Sequence, residues 1–158
     1  MSASVSMITL RPGTMADLAV VDRVMREAFD PRFGEAWTPS QVTGVLAMPG
    51  VWLTIAEGDG DVAGFAMTRA VLDEAELLLL AVRPDRRRRG VGRQLLRSSM
   101  AEARARNVAH MHLEVRAGND AIALYRLAGF DKIGERRDYY RGRSGKLFDA
   151  QTFRAILS

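Results

Sequence analysis

Four consecutive arginines, Arg86, Arg87, Arg88 and Arg89, lead directly into Gly90-Val91-Gly92. That combination suits a phosphate group. The glycines remove the Cβ atoms that would hold a ligand off the backbone. A helix starting at Val91 points its first N–H groups outward, and its dipole favours negative charge there. Arg83, Arg93 and Arg97 add positive charge nearby. The turn lacks the Gly-Lys-Ser/Thr of a Walker loop. It also lacks the third glycine of a dinucleotide fingerprint, since Arg93, Gln94 and Leu95 follow Gly92. By its residues alone the stretch reads equally as a solvated arginine loop before an ordinary helix.

Further candidates lie downstream. Met111, Leu113 and Val115 alternate with His110, His112, Glu114 and Arg116, which puts the polar side chains on one face of a strand. Tyr125 lies between Asn119, a capping residue type, and Gly129, a helix stop. Spacing alone reads Glu114 as an exposed strand carboxylate and Tyr125 as an aromatic packing its own helix. Cysteine is absent, which excludes thiolate nucleophiles, disulfides and cysteine zinc sites. The chain has two histidines, so a histidine-rich metal site is not expected and no metal is assigned.

These residues need elements to hold them. Met7 to Arg11 reads as a short strand ended by Pro12-Gly13. Thr14 then caps a helix whose apolar face is Leu18, Val21, Val24, Met25 and Ala28. A loop over Arg32 to Thr38 precedes a second short helix, from Pro39 or Ser40 to about Met48. Val51 to Glu57 and Val62 to Val71 flank the hairpin signal Gly58-Asp59-Gly60-Asp61. Ala75 to Val82 is almost continuously apolar, the pattern of a strand buried on both faces. A helix from Val91 to about Arg106, a strand over His110 to Arg116 and a helix over Asp120 to Ala128 follow. Phe130 to Tyr140, bent at Gly134, and Leu147 to Leu157 complete a mixed α/β sheet with helices on both faces.

The chain has 158 residues, 47% hydrophobic and 27% charged, which suits one soluble domain. Residues 1–6 read as a loose start and residues 7–158 as the domain. No apolar stretch reaches the roughly 20 residues of a membrane span. The first residues lack a secretory pattern. With no cysteine, a reducing cytoplasm is the expected location. The net charge of +4 is concentrated around the arginine run, which calls for a polyanion: nucleic acid or a phosphorylated cofactor.

Arg-x-x-Gly-x-Gly after a buried strand, together with Asn119-Asp-Ala-Ile-Ala-Leu-Tyr-Arg-Leu-Ala-Gly-Phe130, resembles the GCN5-related N-acetyltransferase (GNAT) superfamily. The resemblance covers almost the whole chain. Leu113-Glu114-Val115-Arg116 and Arg137-Asp138-Tyr139-Tyr140 narrow it to the bacterial ribosomal-protein-alanine N-acetyltransferases of the RimI type. It implies that acetyl-coenzyme A is the cosubstrate, with its pyrophosphate on Arg87, Arg88, Arg89, Gly90, Val91, Gly92 and Arg93. It implies that Leu80, Ala81 and Val82 hold the cofactor's amide arm through their backbone and that Asn119 bonds the cofactor. The acceptor is then the N-terminal amine of a small-subunit ribosomal protein, with Trp37, Tyr139 and Tyr140 beside it and Phe33 near. Two departures from the pattern stand out. The segment from Glu114 to Tyr125 is one residue shorter, a shift that would turn a helical side chain by about 100°. The tail after Arg141 diverges.

In that reading Glu114 is the base. An α-amine, with an ordinary pKa of about 8, needs only a modest one. Tyr125 is the acid that returns a proton to the thiolate. His112 assists or packs, and His110 has no role. Two rivals remain open: an acetyltransferase for another N-terminus, a lysine or a small-molecule amine, and a basic RNA- or ribosome-binding module. The second lacks exposed aromatics interleaved with basic residues.

Overall fold

Seven strands pair side by side where the sequence alternates or runs apolar. The computed structural model describes residues 7–157; the loose start expected at residues 1–6 lies outside them. Strands β1 (Thr9–Pro12), β2 (Val51–Gly58), β3 (Asp61–Val71), β4 (Glu74–Val82), β5 (His110–Arg116), β6 (Asp131–Arg141) and β7 (Leu147–Ile156) form one sheet. Their order is β1-β2-β3-β4-β5-β7-β6. Helices α1 (Leu18–Ala28) and α2 (Pro39–Leu46) cover one face, and α3 (Val91–Ala105) and α4 (Ile122–Leu127) the other. The expected mixed sheet with helices on both faces therefore forms. Boundaries move slightly: α2 stops at Leu46, and α4 starts at Ile122 rather than Asp120.

Each face has its own core. Val21, Val24 and Met25 of α1 pack on Ile55, Phe65 and Met67. Leu95, Leu96 and Met100 of α3 pack on Met111, Leu113 and Phe153. Strand β4 serves both, through a bulge. Thr68 pairs with Leu77 and Met67 with Leu79, so Leu78 is the extra residue. Before the bulge Ala75 and Leu77 join the α3 core; after it Leu79 and Ala81 join the α1 core. A strand that changes faces midway must be apolar at successive positions, which is the physical reason for the run Leu77 to Leu80.

Among the described residues the only parallel neighbours are β4 and β5, and their pairing stops after Glu74↔His110, Ala75↔Met111 and Glu76↔His112. Beyond that point the two strands have no cross-strand partners in each other. Strand β6 is bent as expected near Gly134: Ile133 is an extra residue opposite β7. This resets the alternation, so Arg136, opposite Ala150, lies on the same face as Glu114, opposite Thr152. A second irregularity spans Arg136 to Tyr140.

The loop between α1 and α2 is locked to the β6–β7 hairpin by two glycines. Gly34 has φ +69°, and a Cβ there would overlap the Arg141 carbonyl. A Cβ on Gly142 would overlap the Arg32 carbonyl. The Arg143 N–H donates to the Pro31 carbonyl at 3.1 Å, and Phe33 meets Phe148 edge-on at 5.2 Å. We expect Gly34→Ala to cost more than the roughly 1–2 kcal/mol of a left-handed alanine, because backbone must also move. Gly44→Ala, in α2 with open space around it, should instead gain about 0.5–1 kcal/mol. Chemical denaturation of the two variants checks the contrast.

Candidate active site

The divergence of β4 from β5 opens a cavity of about 890 Å³. Its walls are Leu77–Val82 of β4, Leu113–Arg116 of β5, the start of α3, the entry to α4 and the α1–α2 loop. Nearly every residue singled out in the sequence lines it: Leu80, Ala81, Val82, Arg87, Arg88, Gly90, Val91, Gly92, Arg93, Glu114, Asn119, Tyr125, Trp37, Tyr139 and Tyr140. Arg89 does not. Its guanidinium turns to Asp59, at 3.7 Å.

One end of the cavity is cationic. Gly90, with φ +79°, turns the chain into α3, a 15-residue helix with no side chain capping its first N–H groups. Those groups face the cavity with the positive end of the dipole behind them. A Cβ at Gly92 would stand 3.3 Å from Leu124 and 3.6 Å from Val82, closing the gap between β4 and α4. The arginines divide their labour. Arg86 donates to the Gly58 carbonyl and Arg87 to the Ala28 carbonyl, each at 2.8 Å. Arg83 is held by Glu27 and Asp61. Arg88 and Arg93 line the cavity without a hydrogen bond or ion pair to another described residue. Within the run Arg86 and Arg87 are braces, Arg89 pairs with Asp59 and Arg88 is the open charge, a division that arginine counting does not reveal.

The other end carries carboxylates and phenols. Glu114 is 11% exposed; Arg136 Nε donates to its Oε1 at 3.0 Å, and Thr152 Oγ1 to its Oε2 at 2.7 Å. A carboxylate offers about four lone-pair sites, so Glu114 retains acceptor capacity toward the cavity. Tyr125 is buried and packs edge-on against Phe130, and its hydroxyl makes no hydrogen bond to another described residue. Burial, and then the charge of Glu35, pushes its phenol above the ordinary value. The shortened Glu114–Tyr125 segment therefore still delivers Tyr125 to the cavity. Tyr140 is also shifted up, first by burial and then by Glu35, and its hydroxyl donates to the Glu114 carbonyl at 3.4 Å.

Sequence reasoning missed Glu35 and gave Arg116 and Glu76 no role at the site. Glu35 sits in the α1–α2 loop with its side chain 9% exposed. Arg116 Nε donates to its Oε1 at 2.9 Å and Asn119 Nδ2 to its Oε2 at 2.8 Å. Arg116 also lies over the Phe33 ring at 3.6 Å. Asn119 is accordingly a tether: its Oδ1 accepts from the Ala121 N–H at 2.8 Å at the entry to α4. No local pattern marks Glu35, because its partners lie about 80 residues away. Glu76 was hidden in an apolar strand. The alternation of β4 before Leu78 places it opposite Leu77, on the face of Glu114.

Asn119→Ala removes both bonds. Loss of the turn cap alone should cost about 0.5–2 kcal/mol. Asn119→Asp keeps the acceptor for Ala121 but sets a second carboxylate against Glu35. Thermal unfolding should therefore rank the unaltered chain first and show both variants destabilised.

The geometry has counterparts among known proteins. A family model described as Acetyltransferase (GNAT) family matches residues 22–130. The ribosomal protein bS18-alanine N-acetyltransferase of Escherichia coli strain K12 is 48% identical over 89 residues, 56% of this chain and 60% of that protein. The match thus spans under two thirds of that relative's length. The N-alpha-acetyltransferase RimI of Mycobacterium tuberculosis is 35% identical over 149 residues, 89% of each chain. The crystal structure of the ribosomal-protein-S18-alanine N-acetyltransferase from Escherichia coli superposes with a TM-score of 0.84 at 34% identity, covering 96% of this chain and 95% of that one. With the family model spanning most of the sheet and the tuberculosis relative most of the sequence, the chain belongs to the Acetyltransferase (GNAT) family.

Proposed function

We propose that the chain, as one catalytic domain over residues 7–158, transfers the acetyl group of acetyl-coenzyme A to an N-terminal α-amine. The acceptor we favour is the N-terminal alanine of ribosomal protein bS18, in the cytoplasm. The observation that carries the reading is the cavity's polarity: an uncapped helix start with Arg88 and Arg93 at one end, and Glu114 beside two phenols at the other. The names of the relatives support the acceptor. The relative matched over 89% of its length is named for N-alpha-acetylation without a ribosomal protein, so an α-amine is the first inference and bS18 the second.

In this reading the first N–H groups of α3, with Arg88 and Arg93, hold the pyrophosphate. The open edge of β4 over Leu80, Ala81 and Val82 offers N–H groups to the cofactor's amide arm and to the carbonyl oxygen as charge builds on it. Trp37, Tyr139 and Tyr140 border the acceptor. Glu114 takes a proton from the ammonium, directly or through water, and the freed amine attacks the thioester carbonyl. Tyr125 gives its proton to the departing sulfur. Its raised pKa keeps the phenol loaded at neutral pH. Tyr140 is the weaker candidate because its hydroxyl already faces the Glu114 carbonyl.

Calorimetry with acetyl-coenzyme A and mass spectrometry of an alanine-initiated bS18 peptide test the proposal. Binding without transfer to any α-amine would overturn it. Glu114→Gln should keep cofactor affinity and lose about 10²–10⁴ in turnover, most at low pH, where more amine is protonated. Tyr125→Phe should lose on the order of 10² or more in single-turnover rate. Tyr140→Phe should lose less. The reverse order would transfer the acid role to Tyr140.

A further inference from the structure

Acetylating an ammonium leaves one proton over. An α-amine with an ordinary pKa of about 8 arrives largely as the ammonium at pH 7. As the N–C bond forms and the C–S bond breaks, the amide keeps one N–H proton. Sulfur takes the second, and the third must reach solvent. This bookkeeping rests on the transferase reading above.

The structure supplies a line of groups from the cavity to the surface. Glu76 lines the cavity where β4 and β5 are still paired. His112, directly across from it, places Nε2 3.7 Å from Glu76 Oε2. Its Nδ1 lies 3.6 Å from Glu74 Oε2, and the Glu74 side chain is 49% exposed at the start of β4. Glu114 is two residues along the same face of β5, about 7 Å away. The other groups facing His112 are His110 on its own strand and Arg154 opposite it on β7, with Asp131 beyond Arg154 on β6. Arg69 on β3, opposite Glu76, shares this face, so Glu74, Glu76, Glu114 and Asp131 stand against two arginines. Pairing with Glu76 raises the imidazole above its ordinary value, against the opposing effect of partial burial. An imidazole can both take and give up a proton, one at each ring nitrogen.

We propose that His112, held between Glu76 and Glu74, relays the surplus proton from the acceptor end of the cavity to solvent. It acts through Glu76 and is therefore a positioning residue. Nothing about its sequence context marks it, since His110 alternates in the same way and meets only Glu74, at 3.7 Å.

The test compares acetylation of an alanine-initiated peptide by the unaltered chain, His112→Gln, Glu76→Gln and His110→Gln in weakly buffered solution. His112→Gln should lose on the order of 10² in kcat, the lower end for a positioned acid–base group. Both KM values should hold, and added imidazole should restore the rate. His110→Gln should match the unaltered chain. Glu76→Gln should lower kcat and, by NMR, bring the His112 titration down. An unchanged kcat in His112→Gln, or a loss in a folded variant that imidazole does not restore, overturns the proposal. If His112→Gln does not fold, an unchanged kcat in Glu76→Gln overturns it. Absence of transfer by the unaltered chain overturns the functional reading and this proposal together; transfer indifferent to His112 overturns this proposal alone.

Discussion

Everything at this site depends on the point where β4 and β5 stop pairing. Three parallel pairs hold the strands together, and after Glu76↔His112 they separate. Each strand keeps its other neighbour, β3 for β4 and β7 for β5, so the sheet survives the opening. The inner edges are left with backbone N–H and C=O groups that need partners. A ligand with amide groups along its length satisfies such an edge better than water confined in a cleft. The bulge at Leu78 lies on the opened stretch and turns β4 so that its apolar residues serve both cores. Fold stability and ligand access are thus set by the same few residues.

Much of this was legible in the residue pattern because it is local. Alternation at His110 to Arg116 predicted β5, and the glycine turn predicted the start of α3. The nearly continuous apolar run Ala75 to Val82 predicted a strand buried on both faces. What stayed hidden is non-local. The face change at Leu78 depends on the register with β3. Arg136 reaches Glu114 only because Ile133 is an extra residue in β6. Glu35 has no signal of its own between Gly34 and Ala36. Its burial arises from Arg116 and Asn119, which the fold brings to it. The arginine run was read correctly as charge, yet two of its members spend their donors on carbonyls of β2 and α1.

The charge distribution follows from that division. Braced arginines fix the loop before α3, leaving Arg88 and Arg93 as open charges toward the cavity. At the far end Glu114 and Glu35 are each held by an arginine and a neutral donor. In the proposed reading, an anionic cosubstrate and a cationic acceptor would approach from opposite ends of this cavity. Tyr125 and Tyr140 share the far end with these carboxylates, where burial raises both phenols above their ordinary value.

The two glycines that lock the α1–α2 loop to the β6–β7 hairpin carry an evolutionary consequence. Backbone closely approaches backbone at Gly34 with Arg141 and at Gly142 with Arg32, so any Cβ there would have to displace main chain. An insertion in one segment would have to be answered by a compensating change in the other. The borders of the proposed acceptor end are therefore expected to diversify as a correlated pair across descendants of this chain. Transplanting a new acceptor preference would require grafting both segments together, whereas the start of α3 could be left as it is.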